Sequence, residues 1–487
     1  MEITYGELLL GVNENYRDEI LVETSVDTSE RGGAERVLSL EAEAKASSVE
    51  LMEGEAEVSG KVNYRLLYLD KQGRLCGLDY FKDFKCRVKG DAIVPSGRSA
   101  VTFCVPDAEA RLSGDEVNLS AVVDISLSYY GEENKKAVAS VTEAEILSGE
   151  IVTQRVTTKE RALELDKVAE VGLGVKKIVL FGTEVLPVEV KESAEGLSVC
   201  GEVRGTVLYL NDADEVAELT VSLPFCEVGG EAIADYAAIV KSARVILTDD
   251  GEGNAVEVEV TLNLTETIYE EVPRTALLAS CGEKCRVEES YETLCKTSFL
   301  KRRGYSESLS GTVELDESGA EISFVRPGCH AVAEVTVGDG EVKVEGVAAF
   351  RVVYRLGEDY RSKQGELPFV YVLPFAEAKT GQTAEVTVKI ADAVGSVRGA
   401  DAAVTAKTFL DVRLYDKKCV RYLADAKEGD LIPESEAGIS VYFAEKGEDV
   451  WAIAKNMGVL PSALIKANPF LSEPIEEAKK VLIFRRK

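Results

Sequence analysis

Apolar and polar residues alternate along most of this chain. Three eleven-residue stretches share the same punctuation: "VSGKVNYRLLY" (58–68), "VCGEVRGTVLY" (199–209) and "VEGVAAFRVVY" (344–354). In each, Val stands two before Gly and Tyr eight after it. A period of two marks strands with one buried and one wetter face. The anchor glycines Gly60, Gly201 and Gly346 are 141 and 145 residues apart. That period is too long for solenoid or propeller units and suits separate small domains. Such a Gly predicts a bulge or a close backbone approach in a central strand. The Tyr is expected to bury its ring, with its hydroxyl partnered at the strand end.

The similarity extends outward. Related segments begin 26 residues before each Gly: "AERVLS" at 34, "VKKIVL" at 175 and "AEISFV" at 320. Phe84 and Phe225 each lie 16 residues after the Tyr. In the third copy the sequence aligns Phe375, 21 residues on, with "LGEDYRSKQGEL" as a lengthened hairpin loop. Each copy closes on an alternating strand, at 117, 254 and 401. Turn clusters at 69 ("LDKQG"), 210 ("LNDADE"), 248 ("TDDGEGN") and 316 ("DESG") punctuate the strands. Segments 142–165 and 270–308 carry charged, helix-like spacing and read as linkers. The second ends in Lys301, Arg302 and Arg303, read as a solvated helix end.

The last fifty residues differ. A short strand leads to Asp449, which can cap a helix over 450–457 ended by Gly458. Pro461 opens a second helix to about Ala467, and "VLIF" at 481 is a closing strand. Trp451, Ile453, Ala454, Leu464 and Ile465 form the expected small core. The pattern thus predicts a mainly β protein. It has three antiparallel β-sandwich or open-barrel domains (1–141, 142–280, 281–430) and a strand-helix-helix-strand α+β module (439–487).

Composition narrows the function. Net charge is −30 over 487 residues, which disfavours nucleic acid and anionic lipid as partners. No stretch approaches a membrane span, and the N-terminus lacks a basic start and an apolar leader, so a cytoplasmic location is expected. Residues 441–487 hold eight Lys or Arg against six Asp or Glu, a formal +2 on an acidic body. The ten cysteines read as mostly free thiols of a cytosolic protein. Cys281, Cys285 and Cys295, with His330 as a fourth ligand, lack the tight pairing of zinc sites, so no metal or other cofactor is expected. With a single histidine, no phosphate loop and no nucleophile elbow, an enzyme is not expected.

The tail resembles the LysM module: "KGEDVWAIAKNMGV" (446–459) and "LIKANP" (464–469) stand where that family has its Gly-Asp-Thr-Leu-Trp turn, first helix and Asn-Pro motif. Glu448 and Asp449 stand where that turn has Asp and Thr. The resemblance implies two strands with two helices on one side. It also implies binding through Gly447, Glu448, Asp449, Asn468, Pro469 and Phe470, either to N-acetylglucosamine glycans (peptidoglycan) or to a partner. Lys455 and Lys466, on solvated helix faces, and Phe484 are further docking candidates. The three repeats resemble SPOCS domains of spore-coat proteins, on the "V-x-G…Y" strand and the later "PF". Three such repeats before one LysM module resemble SipL-like coat morphogenetic proteins. This implies a non-enzymatic adaptor in the mother-cell cytosol, docking on a coat-basement ATPase at the forespore surface. The alternative is a peptidoglycan-binding protein.

Overall fold

The computed structural model describes residues 1–487 except 172–173, 194–195, 229–233, 249–254, 316, 434–437 and 485–487. The turn expected at 248 lies mostly outside the described residues, as do Asp316 and the terminal Arg485, Arg486 and Lys487. Strands dominate. The first stretch runs β1 (Ile3–Asp27), β2 (Ala34–Met52), β3 (Glu55–Asp70), β4 (Leu75–Lys89), β5 (Arg98–Ser113) and β6 (Glu116–Val141). The second runs β7 (Ala144–Glu170), β8 (Val175–Val185), β9 (Glu189–Ser193), β10 (Gly196–Asn211), β11 (Val216–Val228), β12 (Ala234–Thr248) and β13 (Ala255–Gly282). The third runs β14 (Cys285–Glu314), β15 (Glu321–Gly338), β16 (Glu341–Leu356), β17 (Asp359–Pro374), β18 (Thr383–Arg398) and β19 (Asp401–Leu431). After these come β20 (Ile439–Ala444), α1 (Val450–Met457), α2 (Pro461–Ala467) and β21 (Lys479–Phe484).

All pairings described are antiparallel, and one scheme recurs. β3 lies between β2 and β4, β10 between β8 and β11, and β16 between β15 and β17. β6 lies between β1 and β5, β13 between β7 and β12, and β19 between β14 and β18. Gly60, Gly201 and Gly346 all stand on the middle strand of the first kind of sheet. Each stretch packs its apolar alternation into its own core: Val62, Tyr64 and Val123 in the first, Val203, Val207 and Val258 in the second, Val344, Phe350 and Val412 in the third. Each such side chain contributes about 1.5–3 kcal/mol on burial.

The expected linkers are strands. β7, the end of β13 and β14 form long antiparallel arms, joined by two-residue turns at Thr142-Glu143 and Glu283-Lys284. In β7, Leu163, Leu165 and Ala169 fill a strand face that the charged neighbours had disguised as a helix stripe. Lys301, Arg302 and Arg303 accordingly lie on β14, and the Arg302 side chain is only 8% exposed. The lengthened loop of the third copy is likewise strand: Leu356 pairs with Asp359 around Gly357 and Glu358. Gly346 then faces Phe369, so Phe369, and not Phe375, matches Phe84 and Phe225.

The stretches contact one another cyclically: β4 on β8, β11 on β15, and β17 back on β2. Leu67, Leu208 and Val353, each seven residues after its anchor Gly, meet in one cluster with Leu38, Val179 and Phe324. A second meeting point joins Tyr130, Tyr269 and Tyr415 around Phe299. Phe299 stacks on Tyr269 at 4.4 Å between centroids. Burial pushes the hydroxyls of Tyr269 and Tyr415 far above the ordinary tyrosine range.

Two kinds of side chain depart from expectation in part. Cys200–Cys226 and Cys295–Cys419 are disulfides, because the antiparallel register sets each pair directly opposite. The other six cysteines are free. Tyr68, Tyr209 and Tyr354 are buried. Tyr354 donates to Glu317 at 3.3 Å, whereas the Tyr68 hydroxyl has no hydrogen-bond partner among the described residues.

Candidate interaction site

The tail's local chemistry sets its shape. Asp449 caps α1, its carboxylate accepting from the backbone N–H of Trp451 (2.6 Å) and Ala452 (3.2 Å). Gly458 ends α1 in the left-handed region at φ 65°. Pro461 occupies the first turn of α2. The core holds Ala444, Val450, Ile453, Ala454, Leu464, Ile475, Val481 and Ile483. Trp451 is outside it and half-buried, and Ile465 is 46% exposed, so both depart from the expected core. Ile475 joins this core from the loop after α2. Its N–H and C=O bond Glu448 O (3.0 Å) and Gly447 N (2.7 Å), which ties the two loops together.

Two of the expected binding residues, Asn468 and Glu448, are turned inward. Asn468 is fully buried: it donates to Leu464 O (2.9 Å) and Leu482 O (2.7 Å) and accepts from Leu482 N (2.8 Å). It therefore clamps α2 to β21 and offers nothing to a ligand. Glu448 accepts from the Tyr442 hydroxyl and the Glu445 N–H, both at 2.8 Å. Asp449 is occupied by its cap. Glu473 accepts from Val450 N–H; burial, and then the Asp449 charge, raise its pKa. Gly447, Asp449, Pro469 and Phe470 remain exposed, Phe470 at 49%.

Lys466 is exposed, as expected for a solvated face. Lys455 is not free in that way. Its ammonium pairs with Glu289 of β14 at 2.5 Å. Nearby, Ser462 N–H donates to Glu145 at 2.9 Å, and the Cys281 thiol contacts Val459 O at 3.6 Å. The end of α1 and the start of α2 thus rest on the arms formed by β7, β13 and β14.

The opposite side of the tail is open. Ile439 pairs with Phe484, Val441 with Leu482, and Phe443 with Lys480 across β20 and β21. Directly paired residues share a face. This face, away from the helices, exposes Ile439, Val441, Phe443, Leu482 and Phe484 together, each at 41–67%. Lys480 lies 5.6 Å over the Phe443 ring, and Lys479 lies 5.9 Å over Phe470. An apolar cluster of this kind, rimmed by lysine, suits a protein surface. Phe484 was the one member singled out from sequence. The signal for the rest was the alternation I-x-V-x-F at 439–443, with Ser440 and Tyr442 turned inward.

Among the described residues, no group of three or more His, Cys, Asp or Glu is placed to hold a metal ion. No described helix is long and apolar enough to cross a membrane. No protein-family model, curated protein or solved structure matches this chain.

Proposed function

We propose that this chain is a non-enzymatic adaptor of spore-coat assembly in the mother-cell cytosol. Three SPOCS-like β-domains, at 1–141, 142–280 and 281–430, form a spacer. A LysM-like module at 439–487 docks on a coat-basement ATPase at the forespore surface. The resemblance of the repeats and of their order supplies the biological setting. The observation that carries the docking step is the exposed apolar face of β20 and β21. It lies opposite the side that rests on the arms, so the module can hold the body and a partner at once.

The test uses the full chain with Val441→Asp and Phe443→Asp, which place charge at the centre of that face without touching the tail core. Binding to purified basement ATPase should fall at least tenfold, about 1.4 kcal/mol, as expected for loss of aromatic anchors. Recruitment in sporulating cells should fall with it. Saturable sedimentation with purified peptidoglycan, combined with unchanged ATPase binding by the double variant, would replace this reading with the glycan one.

A further inference from the structure

The two disulfides sit in different settings. Cys200–Cys226 lies inside a sheet, because Cys200 pairs with Cys226 of β11 on one side and with Glu189 of β9 on the other. Cys295–Cys419 joins β14 to β19 past Tyr415, the limit of the pairing with β18, so the arm there is a two-stranded ribbon. Cys295 and Cys419 are both exposed, whereas Cys200 is half-buried. The ladder continues on either side of the Cys295–Cys419 bond, with Thr293 opposite Arg421 and Thr297 opposite Lys417. Opening the bond therefore leaves the pairing of the arm in place.

The charge around the two bonds also differs. Within two residues of Cys295 and Cys419 along the chain stand Lys296, Lys417, Lys418 and Arg421 and no carboxylate, on a chain of net charge −30. Strand alternation puts Lys417 and Arg421 on the face of Cys419, and Lys296 and Lys418 on the reverse face. On that reverse face Lys418 pairs with Asp416 at 3.1 Å, and Lys296 stands among the charges of Lys418, Glu271 and Asp416. On the cysteine face Lys417 is exposed, and the Arg421 guanidinium lies 3.6 Å over the Tyr291 ring. Around Cys200–Cys226 the charged neighbours are the carboxylates Glu189, Glu202 and Glu227, paired with Lys191, Arg204 and Arg161. A thiolate is both the attacking and the leaving species in disulfide exchange, and nearby cations favour it. Cys419 has a cation two residues to either side on its own face, where Cys295 has Thr293 and Thr297, so Cys419 is the better leaving group.

We propose that Cys295–Cys419 is a thiol-exchange site, at which an anionic low-molecular-weight thiol attaches to Cys295. The thiolate RS⁻ attacks Sγ of Cys295. A new S–S bond forms there as the Cys295–Cys419 bond breaks. The electron pair of the broken bond leaves on Sγ of Cys419, which takes up the proton that the incoming thiol lost to solvent. A second RS⁻ attacking the outer sulfur of the mixed disulfide releases RSSR and returns Cys295 as a thiol. Two small thiols are then oxidised for one protein disulfide reduced. The local cations draw an anionic thiol to the bond. This site is independent of the tail's docking face.

The probe is reduced glutathione, added in excess to the full chain after oxidation in air. Acid stops the exchange, N-ethylmaleimide marks the free thiols, and mass spectrometry maps the peptides. Cys295–Cys419 should open at least about tenfold faster than Cys200–Cys226, with glutathione on Cys295 and maleimide on Cys419. Lys417→Gln, at an exposed position, should slow that opening about threefold, and added salt should shrink the difference from wild type. Equal opening of the two bonds overturns the site. An adduct mainly on Cys419, or an unchanged rate in Lys417→Gln, overturns it as well. So does an oxidised chain in which Cys295 and Cys419 are both free thiols.

Discussion

The ring of Phe369 lies against the α-carbon of Gly346, across the ladder between β16 and β17. A side chain at Gly346 would fall inside that ring and would sit 2.5 Å from the carbonyl oxygen of Ala331. The same relationship joins Phe84 to Gly60 and Phe225 to Gly201. An aromatic ring laid over a strand glycine replaces the missing side-chain contact. On the other flank, the ladder slips after Ala46 opposite Gly60 and after Val332 opposite Gly346. At Gly201 the flanking strand is interrupted altogether between β8 and β9. The glycine recurs because the ring crowds it in all three copies, joined at Gly60 and Gly346 by the backbone of a bulge on the other flank.

That difference separates the three positions experimentally. Gly60→Ala and Gly346→Ala meet both the ring and a backbone carbonyl, at 2.7 Å for Lys45 and 2.5 Å for Ala331. Gly201→Ala meets only the Phe225 ring. Each single change should cost about 1–3 kcal/mol in urea unfolding. Adding Phe225→Leu should recover most of the loss at Gly201. Adding Phe369→Leu should recover little at Gly346, since the carbonyl stays in place. Equal recovery at both would remove the bulge from the explanation.

A second prediction concerns the joint between the second and third stretches. Asp235 of β12 pairs with Arg413 at 2.6 Å and Arg302 at 3.3 Å, and Arg302 also pairs with Asp411 at 2.5 Å. Burial pushes the Asp235 carboxyl up, but Arg413 and Arg302 outweigh it and hold the carboxyl below its ordinary 3.8. Asp235→Asn leaves two buried cations undercompensated and should cost about 3–5 kcal/mol at neutral pH. A depressed carboxylate pKa gives stability that is present above the ordinary value and lost as pH falls through the folded one. The gap between wild type and Asp235→Asn should therefore stay constant from neutral pH down to the ordinary value, then narrow. A gap that is constant to strongly acidic pH would show that Asp235 is not ionised in the folded chain.

The sequence carried the strand periodicity, the recurrent Gly and Tyr, the α1 cap at Asp449 and the stop at Gly458, because these are set by neighbours within a few residues. It carried the long arms poorly. In β14 the charged residues Lys301, Arg302 and Arg303 looked solvated, yet the Arg302 side chain is buried by carboxylates 67 and 109 residues away. Two "LPF" tripeptides compete in the third copy, and only the tight turn at Gly357 selects Phe369. Of the expected binding residues, Asn468 faces inward because β21 returns beside it, a contact across 14 residues. Cys200 and Cys226, and Cys295 and Cys419, meet only once the register is known.

The seat of the tail gives a third prediction. Lys455 holds Glu289, and Tyr291 also donates to Glu289 at 2.8 Å. Lys455→Glu sets two carboxylates against each other at this contact. Hydrogen exchange should quicken at Val459 and Ser462, where α1 and α2 meet the arms, while α1 itself stays protected. Lys466→Glu, on an exposed position, should leave that exchange unchanged. Identical exchange in the two variants would mean that the tail is held by its apolar contacts alone.

The last prediction uses the single histidine. His330 is half-buried on β15; desolvation first, and the Lys389 charge second, lower its pKa from 6.5 to about 4, with a bond to the Val388 backbone working the other way. The pocket it lines also holds Arg326 and Arg351 together with the carboxylates of Glu41, Asp107 and Glu366. Between pH 6.5 and about 4 the unfolded chain binds a proton here that the folded chain refuses. This contribution to stability is therefore complete above the ordinary value and is lost as pH falls toward the folded one, by about 3 kcal/mol at most. His330→Gln keeps a polar side chain of similar size and removes the titration. Unfolding free energies of wild type and variant, taken from neutral pH to pH 4 in phosphate-free buffer, should show wild type losing stability relative to His330→Gln across that window. Parallel curves would mean that the folded protein accommodates the imidazolium.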